Sequence, residues 1–216
     1  MDSLLQSIYD SIVAGNAEGA KAGVRAALEA KLEPATIVNA GMITAMKEVG
    51  RRFECGDYYT PEMLIAARAM QGGMALLKPY LLQSHVKSAG KVVIGTVKGD
   101  LHDIGKNLVS VMLEGAGFEI IDLGVDVPVD KFVDAVRAQQ PDLLALSALL
   151  TTTMPLMTST LAELTKAGLR DKVKVMVGGA PVTEAYAKHI GADGFSPDAS
   201  RAVGVAKALV DPGPVA

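Results

Sequence analysis

The residues best suited to chemistry in this sequence lie together, in Lys98-Gly99-Asp100-Leu101-His102-Asp103-Ile104-Gly105-Lys106-Asn107. A histidine between carboxylates can serve a metal. If Asp100 accepts the proton on one ring nitrogen, the other nitrogen keeps its lone pair free for coordination. Gly105 carries no side chain, so something bulky can approach the start of a helix there. Taken alone, the stretch more often means a plain capping loop, with Asp100 or Asp103 holding a helix start and His102 on the surface. It is not a phosphate loop, because Gly105-Lys106 lacks the preceding glycine and the following Ser or Thr. Two further sets, Ser147-Ala148-Leu149-Leu150-Thr151-Thr152-Thr153 and Gly178-Gly179, read by themselves as helix caps and a tight turn. His85 and His189 have no such carboxylate motif and read as surface residues, and Cys55 is an isolated thiol.

The elements that must position these residues fall into two rhythms. Up to about residue 85 the apolar spacing is helical. Leu4, Leu5, Ile8, Ile12 and Val13 form one stripe, broken at Gly15-Asn16; Val24, Ala27, Leu28 and Leu32 form a second, closed by Pro34. A third helix is predicted over Ala35 to Phe53, with Ile37, Val38, Met42, Ile43, Met46 and Val49 inward. A fourth begins with Thr60 as N-cap, Pro61 at the first helical position and Glu62 on the helix dipole, and runs to about Leu82. Short connections between such helices predict a four-helix bundle. Residues 85–90 read as a linker.

From Lys91 onward short β-rich runs alternate with helices. The runs are Val92–Val97, Phe118–Leu123, Leu143–Ser147, Val173–Val177 and a weak fifth at Asp193–Phe195. Helices are predicted over Ile104–Gly115, Val129–Gln139, Met154–Ala167, Thr183–Ile190 and Asp198–Leu209. Runs that are apolar on both faces imply a parallel sheet covered on both sides, and a flavodoxin-like, doubly wound five-stranded α/β sheet satisfies that. Ligands in such sheets sit beyond the carboxyl ends of the strands, where all three polar sets fall. The tail from Asp211 reads as disordered.

Composition narrows the setting. The 216 residues are 50% hydrophobic with a formal charge of −3 and no Trp, so the core is aliphatic. No basic stripe suits nucleic acid. No apolar run is long enough for a bilayer, and the start carries no signal-peptide pattern. With a single cysteine, the expected setting is the reducing cytoplasm.

Asp100-x-His102-x-x-Gly105 resembles the Asp-x-His-x-x-Gly signature of cobalamin-binding domains, found in cobalamin-dependent methionine synthase and in corrinoid methyl-carrier proteins of methylamine, methanol and methoxy-aromatic methyltransferase systems. The other sets fit the same pattern. Ser147, Leu149 and Thr151 resemble the motif that lines the pocket for the displaced nucleotide tail. Gly178-Gly179 resembles the glycine pair against that tail, and Asp198-Ala199-Ser200 opens the last helix on the nucleotide side. The resemblance spans roughly residues 1 to 210. It implies a helical cap domain over residues 1–85 and a Rossmann-like cobalamin-binding domain over 91–212. It makes His102 the cobalt ligand, with Asp100 and Thr153 completing a proton relay, Thr153 standing where methionine synthase has a serine. Gly99, Leu101, Asp103, Gly105, Ser147, Gly178, Gly179 and Ala199 would contact the cofactor. Tyr59 and Met63 are candidates for the cap over cobalt; Met70, a heptad from Met63, reads as ordinary core.

The resemblance further implies base-off, histidine-on cobalamin whose cobalt carries a methyl group between a donor-specific methyltransferase and a second, acceptor methyltransferase, with a reductive activase as third partner. The chain has no catalytic barrel, so it is expected to turn over nothing alone. A cobalamin-binding sensor without a methyl-transfer role is the alternative, argued against by the absence of a basic recognition helix. The Ala- and Met-rich helical half can serve either a homodimer or a partner surface. Replacing His102 with Ala is expected to abolish imidazole ligation of cobalt while circular dichroism stays unchanged. An unchanged visible spectrum of the loaded variant would rule the ligand assignment out.

Overall fold

Strands with apolar residues on both faces need cover on both sides, and three runs here are buried along nearly their whole length: β1 (Lys91–Thr96), β3 (Leu143–Ser147) and β4 (Lys174–Gly178). A computed structural model, describing residues 2–84 and 88–211, places them at the centre of a five-stranded sheet in the order β2-β1-β3-β4-β5, with every pairing parallel. The less buried β2 (Glu119–Asp122) and β5 (Gly194–Ser196) form its edges. Of the segments read above as linker and tail, residues 85–87, His85 among them, and 212–216 lie outside the described residues.

Five helices follow the strands: α6 (Ile104–Gly115), α7 (Val129–Gln139), α8 (Pro155–Lys166), α9 (Glu184–His189) and α10 (Ala199–Val210). On one face Val93, Leu144, Leu146, Val175 and Val177 share a single apolar cluster with Phe132 and Val136 of α7 and Met157, Leu161 and Leu164 of α8. The alternate residues Val92, Ile94, Ala145 and Met176 point the other way. There α10 packs on β3 and β4 with Ala202 and Ala206 buried. Strand order reverses between β1 and β3, and at such a switch point the following loops diverge and leave a crevice at the carboxyl ends.

The chain divides into two compact units, this α/β unit and a helical one. The helical unit contains α1 (Ser3–Val13), α2 (Ala17–Glu29), α3 (Pro34–Thr36), α4 (Thr44–Glu54) and α5 (Thr60–Ser84). Asp2 and Asn16 cap the first two through side-chain bonds to the Leu4 and Gly19 amides. The fourth predicted helix starts at Thr60 itself rather than after it, and Glu62 reaches back to the Tyr59 amide at 2.9 Å, half of a capping box. The predicted third helix is not uniform: a π-helical stretch, Ile37–Ile43, separates α3 from α4. Its buried residues explain why. Ile37 and Val38, Gly41 and Met42, then Ala45 and Met46 recur every four residues, while Ile43 is only half-buried. At 3.6 residues per turn that stripe would rotate by about 40° per repeat, and the wider π turn absorbs the rotation. Among the described residues no helix is long and apolar enough to cross a membrane.

In the α/β core Gly95 of β1 lies close against the fully buried Phe132: a Cβ at Gly95 would lie 2.8 Å from the ring Cε1 and 3.3 Å from Val127 Cγ2. Gly95→Ala is therefore expected to cost about 1–3 kcal/mol by overpacking, read as a lower urea midpoint. Adding Phe132→Leu should cost less in the Gly95→Ala background than in the wild type, because the two sites share one space.

Candidate functional site

The register of the sheet brings the polar sets to one edge. Thr96 of β1 stands beside Ser147 of β3, Ser147 beside Gly178 of β4, and Gly178 beside Ser196 of β5. A row of small side chains thus crosses the carboxyl end of the sheet. The loop after β1 carries Asp100 and His102, and the loop after β3 carries Leu149 to Thr153, so the two flank the switch point.

Asp100 joins these loops. Its side chain is 0% exposed. One oxygen, Oδ2, accepts from the Leu149 amide at 2.8 Å, the Leu150 amide at 3.2 Å and the Thr153 hydroxyl at 2.8 Å. The other, Oδ1, lies 2.7 Å from His102 Nδ1 and accepts the His102 amide at 3.1 Å. Burial pushes the Asp100 carboxyl up, but the bonds from the His102 ring, the Leu149 and His102 amides and Thr153 outweigh it and hold the group below the usual carboxylate range. An ionised carboxylate only accepts. Nδ1 of His102 must therefore carry a proton, and in the neutral imidazole Nε2 keeps its lone pair. The ring is 51% exposed, with no partner for Nε2 among the described residues. Asp100 and Thr153 are buried while the imidazole they orient faces outward. Thr153 Oγ1 also lies 2.9 Å from the Leu150 carbonyl, so its one proton is shared between two acceptors.

The surroundings suit a large, flat, partly apolar ligand. Leu101, Leu149 and Leu150, on the two loops that Asp100 joins, and Ile104 at the start of α6 are exposed. A Cβ at Gly105 would meet nothing within 4 Å. At the start of α10 the Ser200 hydroxyl is buried without a hydrogen-bond partner among the described residues, and a buried hydroxyl in that state has room to accept or donate to a ligand group or a water. Asp198 caps α10 through the Arg201 amide, and Ala199 is buried. Among the described residues no group of three His, Cys, Asp or Glu side chains can hold a bare metal ion. A single histidine is the donor set expected for a metal whose equatorial positions are filled by a macrocycle.

The remaining sequence-derived candidates sort by position. Gly99 (φ +79°) begins the turn into Asp100, and Asp103 accepts the Asn107 side-chain amide at 2.9 Å rather than capping α6 with its carboxylate. Thr151 is exposed. Gly179 is glycine for a reason of its own: at φ +128° a Cβ would lie 1.9 Å from the Ala148 carbonyl, so the backbone just after β3 forbids a side chain there. At Gly178 a Cβ would come within 3.0 Å of the Ser196 carbonyl. Tyr59 and Met63 belong to the helical unit, Tyr59 exposed and Met63, like Met70, buried.

Sequence reasoning missed several residues. Thr96, fully buried, donates to the His102 carbonyl at 3.0 Å, and Asp126 accepts the Gly99 amide at 2.7 Å. Lys106, noted only as part of a failed phosphate loop, is buried; it pairs with Asp122 at the end of β2 and donates to Asn107 Oδ1 at 2.7 Å, bracing the first turn of α6. An apolar strand ending in Thr could have flagged Thr96, and a lysine inside an apolar helix pattern Lys106; Asp126 had no such signal.

Models of the B12 binding domain match residues 90–204 and, in a second form, residues 4–78. The chain is 44% identical to a dimethylamine corrinoid protein of Methanosarcina barkeri over 97% of its own length and 98% of the relative's. It is similar in structure to a cobalamin-binding protein from Desulfitobacterium hafniense, with 34% identity and a TM-score of 0.78 over 96% of this chain and 98% of that one. It also resembles a chain of the methanol:cobalamin methyltransferase complex of Methanosarcina barkeri, with 30% identity and a TM-score of 0.87 over 97% of this chain and 80% of that one.

The state of Asp100 gives a pH test on the unloaded protein. A carboxyl held below its unfolded value of about 3.9 stabilises the fold above that pH, and the contribution is lost as the pH falls through the folded value. Asp100→Asn should therefore lower the urea midpoint at pH 7 more than at pH 3. An equal loss at both would mean that Asp100 is not held ionised.

Proposed function

The chain belongs to the B12-binding family, and from that premise we propose that it is a corrinoid protein carrying a methyl group between a donor-specific methyltransferase and an acceptor methyltransferase, with His102 as the lower axial ligand to cobalt. When bound, the corrinoid supplies a cobalt centre that takes up a methyl group from one partner and releases it to the other. The observation that carries the reading is the exposed imidazole of His102, held at Nδ1 by the buried, ionised Asp100 so that Nε2 is left without a partner among the described residues.

The chain's own residues have definite tasks in this proposal. Asp100 holds the Nδ1 proton, which fixes the tautomer and raises the donor strength of Nε2. Thr153 steadies Oδ2 of Asp100, the oxygen turned away from the imidazole, so a change in charge at the ring is met by a hydrogen-bond network rather than by bulk water. Leu101, Ile104, Leu149 and Leu150 give the macrocycle an apolar bed, and the gap at Gly105 leaves it room. Were His102 to take the place of the cofactor's own lower base, the row Thr96–Ser147–Gly178–Ser196, with the Ser200 hydroxyl, would suit the displaced polar tail. A reductive activase is the third partner, since a cobalt carrier that becomes oxidised must be reset. The exposed, unpaired Cys55 suits a reducing cytoplasm.

Relatives similar along nearly the whole chain are dimethylamine and trimethylamine corrinoid proteins, which makes a methylated amine the donor to try first. The reduced, cobalamin-loaded chain should take up label from carbon-14 dimethylamine or trimethylamine when the matching methyltransferase is present, and should release it when an acceptor methyltransferase and thiol are added. His102→Ala should lose at least about 90% of that label, on the scale of a lost metal ligand or its support. A loaded wild type that takes up no label from these amines, methanol or methoxy-aromatics, yet changes shape on illumination, would favour the sensor reading.

A further inference from the structure

We infer that Asp126 is a positioning residue for the loop that carries His102, fixing the height at which the imidazole stands; the inference rests on the reading of His102 as the cobalt ligand. Asp126 lies after β2, on a different strand's loop, and does not touch the imidazole. Its contacts are with the backbone that leads to it. Its Oδ1 accepts the Gly99 amide at 2.7 Å, and its own amide donates to the Asp100 carbonyl at 3.0 Å. The two bonds clamp the Gly99-Asp100 segment at both ends. Behind the clamp the two loops are tied by the parallel bridge Val97↔Val127 and by the Val127 amide on the Thr96 carbonyl at 3.0 Å.

The backbone at Asp126 is chosen for this contact. Its φ is +53°, a conformation that Asp and Asn tolerate better than other side-chain-bearing residues. Asp126 is exposed, and its carboxylate takes part in no ion pair among the described residues. Gly99, at φ +79°, is exposed as well and has no side chain to stiffen the turn. Without Asp126 its amide could turn to water at little cost in stability, and the turn would gain freedom. Metal ligation is sensitive to that freedom, because a donor must be held within about 0.5 Å of its productive place. Asp126 is thus expected to act on ligation far more than on folding.

Two substitutions separate these effects. Asp126→Asn keeps both the tolerance for positive φ and a side-chain oxygen for the Gly99 amide. Asp126→Gly keeps the tolerance and removes the oxygen. Each protein is loaded with cobalamin, brought to the divalent cobalt state, and its histidine-on fraction is read from electron paramagnetic resonance with nitrogen-15 histidine. The melting temperature and the exchange rate of the Gly99 amide are measured on the unloaded chain. Asp126→Asn should match the wild type, whereas Asp126→Gly should lower the ratio of histidine-on to histidine-off by about tenfold, the scale of one intramolecular hydrogen bond. Its Gly99 amide should exchange faster, and its melting temperature should stay within a few degrees. A histidine-on wild type matched by Asp126→Gly overturns this inference alone. So does an equal loss in Asp126→Asn, or a loss accompanied by general destabilisation. A wild type with no histidine splitting overturns the ligand reading and this inference with it.

Discussion

A carboxylate shut away from water stays ionised only when donors surround it, and meeting that requirement at Asp100 organises the carboxyl end of this sheet. The donors come from two loops that the strand order sends in opposite directions. The β3 loop offers the Leu149 and Leu150 amides and the Thr153 hydroxyl; the β1 loop offers the ring and amide of His102. Backbone amides cannot change their protonation, so most of the support for Asp100 is permanent. The imidazole is the one member that can change its charge, and it is also the one that faces outward. The polarity of the network therefore runs from a fixed interior to a variable surface.

The rest of the α/β unit can be read as what keeps those loops in place. The buried cluster packs α7 and α8 against the central strands, and the in-register row from Thr96 to Ser196 ends β1, β3, β4 and β5 at the same level. Small residues at that level do two different things. At Gly105 the missing side chain leaves open space, whereas at Gly179 it makes room for the Ala148 carbonyl. The two glycines look alike in the sequence and differ entirely in cause.

How legible each feature was follows from where its cause lies. Strand and helix positions in the α/β unit came through within a residue or two because apolar periodicity and strand burial are local signals. Asp100 and His102 could be paired from their spacing, since a carboxylate two residues before a histidine reaches its ring through a tight turn. The Leu149 and Leu150 amides could not, because a bond to backbone some fifty residues away leaves no trace in residue type. Asp126 was hidden for the same reason, and Thr96 passed for one more β-branched strand residue. The π-helical stretch escaped because four-residue and three-residue spacings alternate in ordinary helices, and only an unbroken run of fours betrays it.

The account turns on one atom, Nε2 of His102, and one measurement addresses it directly. The chain is produced with nitrogen-15 histidine, loaded with cobalamin, and its divalent cobalt state is recorded by electron paramagnetic resonance beside an unlabelled sample. The account predicts that the nitrogen superhyperfine pattern changes from three lines to two on labelling, because the axial donor is a protein histidine. A pattern indifferent to the label, with the cofactor still bound through its own lower base, would contradict it.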